Sequence, residues 1–465
     1  MRKMQVICNW VILAGFILGF AHVAAAESPY KGVTLRVAAA QRPEGVTFAK
    51  LAPKVEKELG IKVEFAWFTH QGLLEKVLMD TAGGLKTWDL LCLATDRLAP
   101  LVSAGSLTPV GDFLYSDIAD PEVRRAVEQG QYVGTELCIS DGFWGPEGTL
   151  WGIPFQAGGN VLVYRKDLMN NPLEKKAFKK KYGYELQPPK FYTQYRDIAE
   201  FFTRKKGEML AGKVLDQDFY GTSHSFKPPM THNDYMNYAY AYGYTQIWFD
   251  KNTMQPTWDS PLNKMALEYV YSLLPYMPEA VFGFSSGEST AVFVSGNVFM
   301  IVEFSTRTFV QVEDLEKSVV KGKVGCAPPP SVKGSNITSP SMAVACPYAI
   351  YSLSKHKEAA YKLLEKMLTF EYQKEAVLKY LNQAALATVY RDPEVITNLP
   401  FLASQMRALE LITPYISPLI PEGDILMDIS SRSVGAYLTG QSIEQALAEG
   451  QREIIELFKE KGYIK

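Results

Sequence analysis

Histidine and cysteine are scarce in this chain of 465 residues, five of each, and neither falls in a metal-holding pattern. His70, His224, His232 and His356 are scattered, and no H-E-x-x-H or tight Cys/His set occurs, so no metal site is expected. No Walker loop is present and no G-x-G-x-x-G follows a strand-like run, so no nucleotide cofactor is expected. Charge of one sign is not in excess: 48 Lys and Arg stand against 50 Asp and Glu, a formal charge of −2. That balance lacks the concentrated basic surface that phosphate backbones require, which excludes a nucleic-acid binder. No internal repeat or low-complexity stretch occurs. Beyond the first 26 residues no charge-free run reaches membrane-spanning length.

Those first residues obey different rules. Arg2 and Lys3 precede an apolar run from Val6 to Phe20, and Ala24-Ala25-Ala26 offers a small-residue cleavage site, the layout of a secretory signal peptide. Export to the periplasm is therefore expected. Cys8 belongs to the leader, leaving Cys92, Cys138, Cys326 and Cys346. Two states stay open for these four: buried thiols, since Cys92 and Cys346 sit in apolar strand-like runs, or one Cys92–Cys138 bond.

The mature chain opens on the alternation Val33, Leu35, Val37, a half-buried strand, and passes through the polar loop 41–45. Phe48, Leu51, Ala52, Val55 and Leu59 then recur at helical spacing, and Gly60 stands at a left-handed cap position. A second strand pattern (Ile61, Val63, Phe65, Trp67), a helical stretch from Leu73 to Met79 and the apolar run from Leu90 to Ala94 complete strand-helix-strand-helix-strand. This order implies a parallel sheet in an α/β domain. Further along, Val161 to Tyr164 reads as a strand; Asp197 to Arg204, Met265 to Tyr276 and His356 to Phe370 read as helices. Ser442 with Gln445 forms a capping-box pattern for the last helix.

Two features bear on chemistry. Gly283-Phe284-Ser285-Ser286-Gly287 matches G-x-S-x-G, but a nucleophile elbow needs a strand before it and the preceding segment is helical in period, so a surface loop is expected. Aromatic rings are plentiful (7 Trp, 26 Tyr, 24 Phe), with a cluster at Tyr235, Tyr238, Tyr240, Tyr242, Tyr244, Trp248 and Phe249. Such rings suit stacking on sugar faces, yet helix packing accounts for most of them; Trp248 is the one carried forward as a ligand contact. Paired carboxylates of a glycoside hydrolase can meet in space from any sequence distance, so an exported hydrolase stays as an alternative.

Several segments, in order, resemble the extracellular solute-binding proteins of bacterial sugar ABC transporters, the maltose-binding and related group. Trp88-Asp89-Leu90-Leu91, Asp96 and Ala104-Gly105-Ser106-Leu107-Thr108-Pro109 resemble one family stretch. Gly148 to Pro154 with Leu162 to Leu168 resembles its "G-k-l-y-g-i-P … l-x-Y-N-K-D-l" crossover. Phe293 to Met300, Ser354 to Ala360 and Gly440 to Leu447 are similar to three further family motifs.

The resemblance implies an α/β, two-lobe periplasmic binding protein fold, each lobe a sheet flanked by helices, with the hinge crossed several times and ligand in the cleft. The implied division is a leader at 1–26, a first lobe at 27–157 and 343–386, and a second at 158–342 and 387–465. Gln156 to Asn160 lies at the first crossing and Ser339 to Val344 at the second. Asp96-Arg97 stands where the maltose-binding branch carries a sugar-gripping pair, while Leu93 replaces its stacking aromatic. Gln41 and Arg42 follow the first strand at the cleft rim. Gly158 stands where that branch has a ligand carboxylate, with the amides of Gln156 and Asn160 nearby. Glu303 and Phe304 lie at the cleft edge.

The expected protein is thus a periplasmic, monomeric, non-catalytic binding component. It captures a sugar, oligosaccharide or polyol and delivers it to an inner-membrane permease. The alternatives are the hydrolase, or a different solute such as a sugar phosphate or polyamine; a phosphate would need cationic side chains converging on the cleft, and Arg42 and Arg97 are the candidates.

Overall fold

The structure is a computed structural model describing residues 28–228, 231–242, 246–285, 287–314, 316–411, 413–415 and 420–465. The leader, Tyr244, Ser286 and the side chain of His232 lie outside the described residues. In chain order the strands are β1 (Thr34–Ala40), β2 (Lys62–Phe68), β3 (Leu90–Cys92), β4 (Leu107–Thr108), β5 (Ile153–Arg165), β6 (Met209–Leu210), β7 (Lys213–Val214), β8 (Tyr220–Thr222), β9 (Val298–Phe304), β10 (Val324–Ala327), β11 (Pro340–Tyr351) and β12 (Thr413–Tyr415).

The strand-helix-strand-helix-strand start is present. β1 pairs in parallel with both β2 and β3, and the helices Pro43–Leu59 and His70–Ala82 make the crossovers. Gly60 closes the first helix at φ 67°, the left-handed cap expected from its spacing. Thr69 caps the second, its side chain accepting from the Gly72 N–H at 3.0 Å. One expectation is corrected: β1 is not half-buried at its end, since Val37, Ala38 and Ala39 are all buried. Layers on both faces of a parallel sheet remove the alternation.

The main path of strands runs β2-β1-β3-β11-β5-β9-β8. Its centre is the antiparallel pair β5–β11, 13 and 12 residues long. The amino half of β5, Ile153 to Gly159, pairs with β11 from Tyr348 back to Ala343, with a bulge at Cys346/Pro347. Its carboxyl half then pairs with β9 and β10. The two strands therefore run from one packed body into another. The sequence pattern disclosed only Val161 to Tyr164 of β5, because Pro154, Gly158, Gly159 and the amides hide the earlier half.

Each body has its own core. The first surrounds β1 to β3 and includes Phe48, Leu51, Val55, Leu364, Met367 and the helical residues Val395, Leu402 and Met406. The Phe48 and Tyr348 rings stack there at 3.9 Å. The second core is aromatic: Tyr192, Tyr195, Phe202, Tyr235, Tyr238, Trp258, Tyr269 and Phe458 pack with Leu426 and Ile429. The Phe202 and Phe299 rings stack at 3.6 Å. The cluster expected to be mostly helix packing is so in Tyr235 and Tyr238, both fully buried.

The last helix, Ile443–Glu460, carries half of its expected capping box. Ser442 accepts from Gln445 N–H at 3.3 Å, while the Gln445 amide turns forward to Glu449. At the G-x-S-x-G segment, a short helical turn (Glu279–Gly283) precedes the motif instead of a strand, as expected for a loop.

Glycines test the packing. A Cβ at Gly221 in β8 would lie 1.9 Å from the Ala199 carbonyl oxygen, whereas one at Gly435 in helix Gly423–Leu438 meets nothing within 4 Å. Gly221→Ala is expected to destabilise by about 2 kcal/mol or more. Gly435→Ala is expected to stabilise by about 0.5–1 kcal/mol. Urea unfolding of the two variants checks both signs.

Candidate functional site

The first three strands end on the same edge of the sheet, because they are parallel. Open parallel sheets bind ligands outside the carboxyl ends of their strands, where the loops carry the polar side chains. Here those loops supply Gln41, Arg42 and Glu44 after β1, His70 after β2, and Asp96 and Arg97 after β3.

All of these side chains but Gln41 form one chain of contacts. Glu44, almost fully buried at the start of its helix, places Oε1 3.0 Å from Arg42 Nε. Arg42 Nη1 lies 3.4 Å from His70 Nδ1, and His70 Nε2 lies 3.1 Å from Asp96 Oδ2. Arg97 Nη2 lies 3.8 Å from the same oxygen. Through Nη1, Arg97 forms an ion pair with Asp424, which stands in the first turn of helix Gly423–Leu438. That helix packs in the second body, so Arg97 bridges the two. Anion, cation, imidazole, anion, cation and anion follow one another from the interior of the first body to the second.

Hydrogen-bonding capacity is left over inside this chain. Glu44 Oε2, Asp96 Oδ1 and Arg97 Nε are buried without a partner. An unmatched buried polar atom costs about 1–3 kcal/mol, so a ligand or water that meets it is favoured. Burial alone would raise the Asp96 carboxyl, but the hydrogen bond to His70, then the charge that His70 carries when protonated and those of Arg97 and Arg42, outweigh it and hold the group well below its ordinary value of 3.8. The Arg42 guanidinium is pushed up, chiefly by Glu44.

The other expected residues are distributed as follows. Gln156 is buried on β5, its Nε2 3.8 Å from Cys346 Sγ and its Oε1 unpartnered. Asn160 donates to Asn237 Oδ1 at 2.8 Å and stands opposite Phe304 on β9. Glu303 Oε1 accepts from Arg307 Nη1 at 2.6 Å and from the Phe304 N–H at 2.7 Å. Burial raises the Glu303 carboxyl, and Arg307 opposes that rise only in part. Gln41 is exposed at the rim, its N–H donating to the Phe68 carbonyl at 2.9 Å. Ser339 precedes β11 in the left-handed region at φ 48° and is half-buried. Trp248 stands apart from this group: it is buried in the second core and donates to Ser430 Oγ at 2.5 Å.

Sequence reasoning missed Glu44, His70 and Asp424. Asp424 is 327 residues from Arg97, and no local pattern marks it. Glu44 and His70 carried a signal, since each lies just beyond a strand end on the edge that already held Arg42 and Asp96.

A second bridge lies at the rim. Asp141 pairs with Lys251, and the rings of Phe143 and Phe249 stack at 6.3 Å. A cavity of about 200 Å³ lies against the crossing strands, lined by Gly134, Leu137, Ala157, Val344, Met406 and Leu409. Its mainly apolar lining sets it apart from the polar chain. All four cysteines are free, which removes the Cys92–Cys138 alternative, and burial pushes the Cys92 and Cys138 thiols up. Among the described residues no group of three or more His, Cys, Asp or Glu is placed to hold a metal, and no helix is long and apolar enough to cross a membrane.

Known proteins share this architecture. The sequence profile of the bacterial extracellular solute-binding proteins matches residues 39–374. A mannitol-binding protein of Pseudomonas aeruginosa is 25% identical over 457 residues, covering 93% of this chain and 94% of the relative. An ABC transporter solute-binding protein of Agrobacterium radiobacter, solved with ribitol, superimposes with a TM-score of 0.72 at 23% identity, covering 93% of this chain and all of the other. Another from Agrobacterium vitis, solved with D-mannitol, gives 0.70 at 21% identity, again covering 93% and 100%.

Because its folded carboxyl is depressed, Asp96 contributes stability that is present above about pH 4 and lost as pH falls toward the folded value. Asp96→Asn is therefore expected to flatten the acid limb of the stability profile, losing about 1–2 kcal/mol less than the natural chain between pH 5 and pH 2. Urea midpoints across that range measure it.

Proposed function

The chain belongs to the bacterial extracellular solute-binding proteins, and from that premise we propose that it is the capture component of an ABC import system for a small uncharged polyhydroxyl solute, a polyol or a sugar. The solute is held between the two bodies, and the permease in the inner membrane receives it. The leader carries the chain to the periplasm in this reading. The proposed lobe boundaries fall within the paired crossing strands at 157–158 and 342–343. The last passage, expected at 386–387, is proposed to lie after Leu411 instead; the packing of Val389 to Ala408 with the first core and of Ile420 to Phe458 with the second supports that shift.

The observation that carries the reading is the charge chain spanning both bodies, with its unpartnered Asp96 Oδ1 and Arg97 Nε. Carboxylate and guanidinium edges match hydroxyl groups as acceptors and donors. A solute that meets groups on both bodies favours the arrangement in which they approach, through its differential affinity for that state. The mannitol and ribitol binding of the relatives supports the polyol class.

Two alternatives lose ground on the same observation. A sugar phosphate needs cationic groups free to receive it, and Arg42 and Arg97 are each tied to carboxylates. A glycoside hydrolase needs two free carboxylates across the scissile bond. Asp96 and Asp424 instead both contact the guanidinium of Arg97, which supports binding without turnover.

Thermal unfolding against mannitol, ribitol, sorbitol, maltose, sugar phosphates, amino acids and polyamines tests the proposal. A neutral polyol or sugar at a hundred times its Kd is expected to add about 2.7 kcal/mol of stability. Asp96→Ala is expected to lose that gain. A response confined to a phosphate ester, or turnover of a chromogenic glycoside, would overturn the reading.

A further inference from the structure

His70 stands at the middle of the charge chain, with Arg42 on one ring nitrogen and Asp96 on the other. A guanidinium has only donors, so the 3.4 Å contact with Arg42 Nη1 requires a lone pair on Nδ1. An ionised carboxylate only accepts, so the 3.1 Å contact with Asp96 requires the proton on Nε2. One form of the ring meets both demands, the neutral Nε2–H tautomer. A second proton would sit on Nδ1 and point at a cation.

The surroundings act in opposite senses. Asp96 favours the imidazolium, while Arg42 opposes it, with Arg97 adding positive charge beyond Asp96. His70 is also the first residue of helix His70–Ala82, and the positive end of the helix dipole disfavours a cation there. From the β1 loop, Glu44 fixes Arg42 in place at 3.0 Å. When His70 takes up a proton, Asp96 keeps its partner, whereas Arg42 Nη1 loses its acceptor and the guanidinium is held by Glu44 through Nε alone.

Resting on the binding reading above, we propose that His70 is a positioning residue of the cleft. It acts through Arg42 and Asp96, and only its neutral Nε2–H form accepts from Arg42 Nη1, so that His70 and Glu44 together hold the guanidinium in the arrangement that receives the solute. Capture is then pH-dependent: the solute is held at neutral pH and released more readily in acid.

Two measurements test this. The first is calorimetric affinity for the solute found in the panel, taken from about pH 7.5 to about pH 5, the range over which histidines titrate. The natural chain is expected to weaken about fivefold or more on acidification. His70→Ala is expected to bind about tenfold more weakly at both ends. His70→Gln presents an amide oxygen to Arg42 and an amide N–H to Asp96 without titrating; it is expected to recover most of the affinity that His70→Ala loses and to remove the pH dependence. A His70→Gln profile that follows the natural chain, or a His70→Ala variant that binds like it, would overturn the proposal.

The second measurement needs no solute. Imidazole ¹⁵N shifts of the ligand-free protein, assigned by the signal absent from His70→Gln, are expected to show the Nε2–H tautomer at about pH 7.5. An Nδ1–H tautomer or an imidazolium there overturns the positioning role. Should no panel compound bind, the binding reading fails while the tautomer still decides the state of His70.

Discussion

The pairing of β5 with β11 is the constraint on which everything else hangs. β5 passes from the first core into the second and the antiparallel β11 returns from the second to the first, so their ladder from Gly159–Ala343 to Ile153–Tyr348 is at once sheet and hinge. Small residues keep its surfaces close to their neighbours. A Cβ on Gly134 would come 2.8 Å from that of Ala345, and one on Gly158 would come 2.7 Å from Ser305 Oγ. Bulk at either place would push a neighbour, the loop at Gly134 or the helix at Ser305, off the crossing strands. The carboxyl edge of the first sheet is aimed at the second body because these strands fix the two together, and the polar chain acquires its meaning from that placement.

Electrostatics at the site follow from burial. Arg97 is 4% exposed, an environment that a guanidinium occupies only when carboxylates face it. Asp96 and Asp424 do so from different bodies, so the neutralisation of one charge is shared across the cleft. The rim pair of Asp141 and Lys251, reinforced by stacked Phe143 and Phe249, holds the same two bodies at a second point. Charges satisfied by one another leave hydrogen bonds to offer and little net field, which suits a neutral solute better than an ionic one.

The first body was legible in the sequence because its crossovers are regular: helical spacing from Phe48 to Leu59 and the glycine cap at Gly60 each reappear at their positions. Arg42 was found because it follows a strand end, and Asp96 with Arg97 because they stand where the maltose-binding branch carries its sugar-gripping pair. Asp424 was not legible, since its partner lies hundreds of residues earlier and its own helix looks ordinary. Trp248 was misleading for a physical reason: an indole on an aromatic-rich segment looks alike whether it stacks on a sugar or packs in a core, and its N–H is already given to Ser430. The early half of β5 was hidden because the glycines and amides that suit a hinge are those that break a strand pattern.

Capture between two bodies makes one physical demand, that binding change their separation. Small-angle scattering of the natural chain and of Arg97→Ala, each with and without a saturating solute, measures it directly. Expected is a contraction of the natural chain on binding, toward the arrangement in which Arg97 reaches Asp424, and a smaller contraction in the variant. Tight binding, established by calorimetry, with no contraction in the natural chain would contradict capture between the two bodies.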